Sequence, residues 1–273
     1  MQPQAPSAQR HSLTVFGITG RMGQSLIRAL GEACEFQLGG AIASAGSARL
    51  GLDAATEGAP TGVTITSDFG KALTGASAAL DFSVGSAVAQ HAQACAKASV
   101  PLLVGATGFD APANEELKLA AKSIAVLIAP NTSVAVAVMN DLAAAAAKAL
   151  GGAYDVDISE AHHRGKRDAP SGTALILGET IAKSRAVSFR EVAVFDRPGT
   201  GVPRHPGSIG FSVVRAGDIV GEHTVTFTGA GERLEITHRA TDRITFARGA
   251  LRAAAWLIGQ PPGLYGMKDV LGL

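Results

Sequence analysis

Short apolar runs alternate with amphipathic stretches through the first half of the chain. Leu13–Phe16 reads as a buried strand, followed by a glycine-bearing turn and a helix with Leu26, Ile27 and Leu30 on one face. Phe36–Ile42 reads as a second strand, and Ala78–Phe82, Leu102–Val104 and Ile124–Ile128 as further ones. Between them, Ser86–Ala98 and Ala113–Lys122 carry helical patterns. Pro112 suits the first turn of the latter, and Glu115 and Glu116 favour its positive end. Apolar strands alternating with helices predict a parallel sheet covered on both faces.

Val134–Leu150 is alanine and aliphatic except at a few points, notably Asn140, Asp141 and Lys148, and Gly151-Gly152 stops it as a helix. Beyond it the period changes to two. Asp155–Glu160, Gly210–Arg215, His223–Phe227 and Leu234–Arg239 alternate like half-buried strands, with turns at Gly217-Asp218 and Gly229–Gly231. Ile244–Ile258 returns to a helix. The pattern predicts an α/β chain: an N-terminal Rossmann-like, doubly wound parallel sheet, then a C-terminal α+β domain with a mostly antiparallel sheet. The expected boundaries are 1–132 for a dinucleotide-type domain, with 243–273 packing back onto it, and 133–242 for a second domain. The crevice between two such domains is the default place for chemistry.

Composition narrows the function classes. Hydrophobic residues are 47% and charged residues 17% of 273, enough to bury a core. A net charge of +1 gives no global pull toward nucleic acid or an anionic membrane, so any attraction for acidic ligands is local. Met1–Ser7 is polar, lacks a signal peptide's apolar segment and reads as a frayed tail. No apolar run is expected to be long enough to cross a bilayer, and the cytoplasm is the default compartment. Cys34 and Cys95, each within an apparent helix, read as small buried residues rather than as a disulfide framework or a zinc site.

The first chemical signal is Gly17-Ile18-Thr19-Gly20-Arg21-Met22-Gly23, after a strand and opening a helix. Glycines there let backbone approach a pyrophosphate, and the first N–H groups of the helix carry partial positive charge. Arg21 can add a charge-assisted contact. The spacing differs from the common G-x-G-x-x-G because Thr19 stands at its second glycine, and a plain structural turn is the alternative. The second strand ends in Ala43-Ser44-Ala45, without the carboxylate that holds ribose hydroxyls. Its absence removes repulsion of a 2′-phosphate without supplying a clamp. Arg49 is the nearest cation in sequence, and NADPH, or use of both NADPH and NADH, is expected.

The second signal is Glu160-Ala161-His162-His163-Arg164-Gly165-Lys166-Arg167-Asp168-Ala169-Pro170, ahead of Ser171-Gly172-Thr173 and an apolar helix. Five basic side chains fall within six positions. A capped helix start binds carboxylate or phosphate, and imidazole transfers protons near neutral pH. The combination suits a small substrate with at least two anionic groups; the alternative is a solvated basic turn. A metal is not expected, because His162 and His163 point to opposite faces of an extended chain and no partners stand at ligand spacing. His91 reads as a packing or surface residue, the loop at His205 as structural or mobile, and His223 and His238 as satisfied structural residues.

The run E-A-H-H-R-x-K-x-D-A-P-S-G-T-A resembles the 4-hydroxy-tetrahydrodipicolinate reductase (dihydrodipicolinate reductase) family. So do G-R-M-G at Gly20–Gly23, V-G-A-T-G-F at Val104–Phe109, A-P-N-x-S-V at Ala129–Val134, V-R-A-G-D-I-V-G-E-H-T at Val214–Thr224 and E-R-L-E-I-T-H at Glu232–His238. The resemblance spans Val15 to Leu271. It implies that Gly17, Ile18, Thr19, Gly20, Arg21 and Met22, with Ala43 and Ser44, hold the dinucleotide. It places Gly105, Ala106 and Thr107, and the turn Ala129-Pro130-Asn131-Thr132, at the nicotinamide end. It makes His162 the proton donor and Lys166 its catalytic partner. His163, Lys166, Ser171, Gly172, Thr173 and Arg243 would hold the substrate carboxylates. The implied reaction is reduction of a cyclic dicarboxylate imine in the diaminopimelate route to lysine, with hydride from nicotinamide C4. The implied assembly is a homotetramer joined through the sheets of the second domain.

Three positions depart from the family pattern. Ala43 and Ser44 stand where many relatives carry an acid or a basic residue, Ala106 replaces the first threonine of a frequent G-T-T-G loop, and Gly165 replaces a bulkier residue. Closure about Thr132-Ser133 and Thr241-Asp242 is expected to exclude water. The rival readings are another aspartate-pathway dehydrogenase and a dinucleotide sensor that binds without turnover.

Overall fold

The structure is a computed structural model whose described residues are 10–197, 201 and 203–273; the tail Met1–Ser7 lies outside them. The chain divides into two compact units. One runs to Ser133 and takes up Ile244–Leu273, and the other is Val134–Arg243. In chain order the first unit contributes β1 (His11–Phe16), α1 (Arg21–Glu32), β2 (Phe36–Ile42), β3 (Ile65–Thr66), α2 (Phe69–Leu73), β4 (Ala78–Asp81), α3 (Val88–Ala98), β5 (Leu102–Val104), α4 (Ala111–Ala120) and β6 (Ala125–Ile128). The second unit then contributes α5 (Val134–Leu150), β7 (Asp155–His162), α6 (Gly172–Ser184), α7 (Phe189–Val192), β8 (Ala193–Val194), β9 (Ile209–Arg215), β10 (Gly221–Gly229) and β11 (Glu232–Ala240). The first unit is completed by α8 (Ile244–Leu257), β12 (Gly263–Tyr265) and α9 (Met267–Leu271).

The first unit is built on a seven-stranded sheet in the order β12-β6-β5-β4-β1-β2-β3, every pair parallel. α3 and α4 pack together over Phe16, Leu102 and Val104, and Val88, Ala92, Cys95 and Leu117 fill that core. α8 packs on α1 and reaches β4, β5 and β6. The strand order reverses at β1, which has β2 on one side and β4 on the other. Ligands of open α/β sheets bind at such a reversal, beyond the carboxyl ends of the strands. Asp110 caps α4 by accepting from the Ala113 N–H at 3.0 Å, with Pro112 inside the first turn. Cys95 is buried, and burial pushes its thiol well up. Cys34 corrects the sequence expectation: α1 ends at Glu32, its C-cap Ala33 is extended, and Cys34 follows it exposed.

The second unit is a five-stranded sheet in the order β11-β10-β7-β9-β8. β10 runs antiparallel to β7 and β11, whereas β9 runs parallel to β7 and β8, so the sheet is mixed. Alternation places Val156, Ile158, Val225 and Phe227 in a core with Leu177 and Ile181 of α6. By length and composition, the 20 residues Val134–Ala153 are apolar enough to cross a membrane, which corrects the expectation that no run is. Here α5 packs on α6 and β11, with Met139, Ala143 and Ala147 in the core.

Candidate active site

In the first unit, the loop after β1 is shaped by backbone. Gly17 has φ +75°, a left-handed conformation that favours glycine, and a Cβ there would stand 2.7 Å from the Phe82 carbonyl oxygen. A Cβ at Gly23 would collide with the Ile18 carbonyl, so α1 can start this close to β1 only with glycine. Gly20 is the N-cap and supplies no side-chain cap, which leaves first-turn N–H groups for a ligand. A cavity of about 560 Å³ opens over this loop, lined by Gly17, Thr19, Gly20, Ala43, Ser44 and Phe82 among others. A cradle made of backbone over a helix start fits a dinucleotide pyrophosphate. Ile18 is fully buried, so it can contribute only backbone. Arg49 is committed elsewhere: its guanidinium donates to the carbonyls of Asp53 at 3.0 Å and Ala55 at 3.1 Å.

Asp81, at the end of β4, was not singled out by the sequence reading. Its buried carboxylate accepts from the Ser83 N–H at 2.9 Å and hydroxyl at 2.6 Å, and meets His91 Nδ1 at 2.8 Å. Its carbonyl accepts from the N–H groups of Gly105 at 2.8 Å and Ala106 at 3.0 Å. One residue therefore ties the Phe82-Ser83 turn to the loop after β5. His91 is buried, stacks on Phe16 at 4.2 Å and lines the cavity. Thr107 is exposed, Ala106 and Ala129 are buried, and Asn131 Oδ1 accepts from the Ser133 N–H at 2.9 Å. Thr132 is buried with its hydroxyl given to the Phe246 carbonyl at 2.7 Å, which anchors the end of this unit's first segment to α8.

In the second unit, Glu160 and His162 lie two apart on β7 and share its buried face. His162 Nδ1 lies 2.5 Å from Glu160 Oε2. Arg215, across the parallel β7–β9 pair, grips the same carboxylate with two bonds, Nη1 to Oε2 at 2.8 Å and Nη2 to Oε1 at 2.7 Å. The Ser171 N–H adds a bond to Oε1 at 3.0 Å. Burial alone would raise the Glu160 carboxyl, but Arg215, His162 and the Ser171 N–H outweigh it and hold it below its ordinary value. For His162, burial lowers the imidazole and Glu160 raises it. Lys166 and Arg215 lower it further, and the balance lies below the usual 6.5.

Ser171 caps α6, its hydroxyl accepting from the Ala174 N–H at 3.3 Å and meeting His223 Nε2 at 3.0 Å. The cap follows a cis Ala169-Pro170 bond. Gly172 is exposed and Thr173 half-buried at the helix start. Lys166 Nζ pairs with Asp168 Oδ2 at 2.9 Å, and its N–H donates to the His163 carbonyl at 3.1 Å. Thus His162, His163, Lys166, Ser171, Gly172 and Thr173 belong to one strand end, one loop and one helix start. Arg243 is half-buried and is the last residue of the second unit. The loop at His205 is structural: Arg204 donates to Asp157 Oδ2 at 2.7 Å and to the Val156 and Ser208 carbonyls at 2.6 Å each.

His223 corrects the reading of a fully satisfied residue, since its Nδ1 is buried without a hydrogen-bond partner among the described residues. Burial pushes its imidazole down to about 3. The folded chain therefore keeps it neutral while an unfolded chain binds a proton near 6.5, so its contribution to stability is complete above about 6.5 and falls away toward 3. At pH 5 the loss is about 2 kcal/mol. Thermal unfolding of wild type and His223→Gln across pH 7 to 4.5 checks this. The wild type is expected to lose Tm more steeply, and parallel curves would contradict the assignment.

Residues 11–132 match the family model described as dihydrodipicolinate reductase, N-terminus, and residues 135–271 match that described as dihydrodipicolinate reductase, C-terminus. The chain belongs to the dihydrodipicolinate reductase family. Among its relatives, a 4-hydroxy-tetrahydrodipicolinate reductase of Bordetella pertussis is 50% identical over 262 residues, covering 96% of this chain and 97% of that one. One of Anaeromyxobacter dehalogenans is 48% identical over 263 residues, with 96% and 97% covered. The dipicolinate-bound dihydrodipicolinate reductase from Paenisporosarcina sp. TG-14 superposes with a TM-score of 0.75 at 21% identity, covering 96% of this chain and 99% of that one. Nearly full-length coverage in both directions extends membership in the dihydrodipicolinate reductase family to both units. Sequence reading missed Glu160 and Arg215 in the second unit, and Asp81 with Ser83 in the first. Their signal was modest: an acid two residues before a candidate catalytic histidine, an arginine inside a matching motif, and an acid ending a buried strand.

Proposed function

We propose that the protein reduces 4-hydroxy-tetrahydrodipicolinate to tetrahydrodipicolinate with NADPH or NADH, in the diaminopimelate route to lysine. The observation that carries this is the second unit's constellation. A histidine with its Nδ1 on a buried carboxylate stands in one strand–loop–helix segment with a lysine and a capped helix start able to take carboxylates. The first unit, to Ser133 with Ile244–Leu273, is the dinucleotide domain; the second, Val134–Arg243, binds substrate and joins subunits.

When bound, the reduced nicotinamide supplies the hydride. Gly17, Gly20 and the first turn of α1 hold the pyrophosphate, with Ile18, Thr19, Arg21 and Met22 completing the loop and Ala43 and Ser44 beside the adenosine ribose. Gly105, Ala106, Thr107 and Ala129–Thr132 receive the nicotinamide end. His163, Lys166, Ser171, Gly172, Thr173 and Arg243 hold the two substrate carboxylates. The protonated His162 gives its proton to the reduced ring, and Lys166 stabilises negative charge developing there. The ligand is a small dicarboxylate rather than nucleic acid or membrane. The assembly is a homotetramer in the cytoplasm, joined through the sheets of the second unit.

The test is loss of reduced-nicotinamide absorbance when the substrate is generated in situ from pyruvate and aspartate semialdehyde by the preceding enzyme. Turnover with both cofactors is expected, NADPH with the lower KM. A protein that binds reduced cofactor without consuming it would be a sensor and would overturn the proposal. A strong NADH preference would overturn the cofactor order.

A further inference from the structure

His162 can donate a proton to substrate only if its free ring nitrogen is Nε2 and that nitrogen is protonated. Both conditions are set by what holds Nδ1. Neutral imidazole carries one N–H, and the hydrogen bond made at one nitrogen decides which it is. Here Nδ1 faces Glu160 Oε2 at 2.5 Å, and Glu160 has no exposed side-chain surface. An ionised carboxylate is acceptor only, so the proton of this bond sits on Nδ1. Nε2 is thereby left as the position that gains and loses a proton. Gly221 leaves the ring room on that side, since a Cβ there would stand 3.0 Å from Nε2.

Glu160 is itself held from three directions: by the Arg215 fork, by the Ser171 N–H and by His162. Arg215 Nη2 also donates to the Asp168 carbonyl at 2.6 Å. One guanidinium therefore fixes the carboxylate behind the histidine and pins the loop that carries Lys166. Ser171 extends the same network to the start of α6 and, through its hydroxyl, to His223. The charged or titratable groups facing His162 are Glu160 on its own strand, Lys166 on the loop, Arg215 on β9 and His223 on β10. Glu160 is the negative one among them.

We propose that Glu160, clamped by Arg215, is a positioning residue for His162: it fixes the Nδ1–H tautomer, favours the imidazolium, and ties the acid to the helix start that receives the substrate carboxylates. This rests on the reading of His162 as proton donor, but the tautomer itself does not depend on turnover.

The experiment has an arm that needs no activity. In wild type with ¹⁵N-labelled histidine, heteronuclear NMR across pH is expected to show His162 neutral with the proton on Nδ1, and Nε2 titrating. The opposite tautomer would overturn the proposal. In Glu160→Gln, the His162 titration is expected to move to lower pH, because the group that raises it is gone. The decline of kcat/KM with rising pH then moves down with it. kcat is expected to fall about 10- to 100-fold, while pyridine-2,6-dicarboxylate binds within about threefold of wild type.

Removing one charge of a buried pair can unfold a chain, so Glu160→Gln/Arg215→Met, which removes both, is measured in parallel. It is expected to fold, bind the dicarboxylate and show a smaller downward move, because Arg215, which lowers His162, is gone as well. An unchanged His162 titration and kcat in a folded variant would sink the positioning role. So would a loss of dicarboxylate affinity as large as the loss of kcat, which would mark Glu160 as merely structural. If wild type itself consumes no reduced cofactor, the reductase reading fails while the NMR result still decides the tautomer.

Discussion

His162→Gln is expected to lower kcat by about 10² to 10⁴ while leaving dicarboxylate affinity nearly intact. Glutamine keeps a polar side chain on the buried face of β7 but cannot give up a proton, so only the transfer step is lost. General acid catalysis is worth about that factor. The groups assigned to the carboxylates, Lys166 and the start of α6, are unaltered, and pyridine-2,6-dicarboxylate is expected to bind as in wild type. The pH profile separates this from a disturbed site. Burial holds the free imidazole below 6.5, so the wild-type kcat/KM is expected to decline with rising pH from below neutrality. Two substrate carboxylates beside the ring favour its charged form, so the decline in kcat is expected at higher pH than that in kcat/KM. In His162→Gln both declines are expected to disappear. Steady-state kinetics from pH 5 to 9 check this, and a variant with near-normal kcat would remove His162 as the acid.

Much of the fold is legible as periodicity. Leu13–Phe16 and Leu102–Val104 are apolar runs because these parts of β1 and β5 are buried on both faces, as is the second half of β2 over Gly40–Ile42. The elements that pattern reading missed are too short to carry a period. β3 and β8 have two residues each and β12 three, and they exist because a neighbouring strand offers an edge. Direction was also hidden. Gly210–Arg215 reads as alternating, but β9 is buried over Ile209–Phe211 and exposed over Ser212–Val214, and a period is in any case silent on which strand pairs with which, so the parallel β7–β9 pair could not be read from it. That gap explains the incomplete site. Glu160 and Arg215 are 55 residues apart and meet because the register sets His162 opposite Arg215. The glycine loop and the Ser171 cap were legible because each is a local device, completed within a few residues.

Lys166→Ala is expected to raise KM and lower kcat together, with kcat/KM down about 10² to 10³. A lysine that only anchors a carboxylate would change KM alone; one that also meets charge developing in the transition state changes both. The ion pair with Asp168 sharpens the expectation. Burial would raise the Asp168 carboxyl, but Lys166 holds it below its ordinary value, so the truncation leaves an uncompensated anion beside a doubly negative substrate. Part of the KM increase therefore comes from Asp168, and Lys166→Ala/Asp168→Asn is expected to recover some of KM and none of kcat. Lys166 also lowers the His162 imidazole, so its removal moves the kcat/KM decline to higher pH, opposite in sign to Glu160→Gln. Lys166→Arg is expected to restore charge and part of KM but little kcat, because a planar fork does not place its donors where a compact ammonium does. Kinetics unchanged in Lys166→Ala would return that side chain to the solvated surface of the loop, and a pH limb that moves downward would show that Lys166 does not face His162.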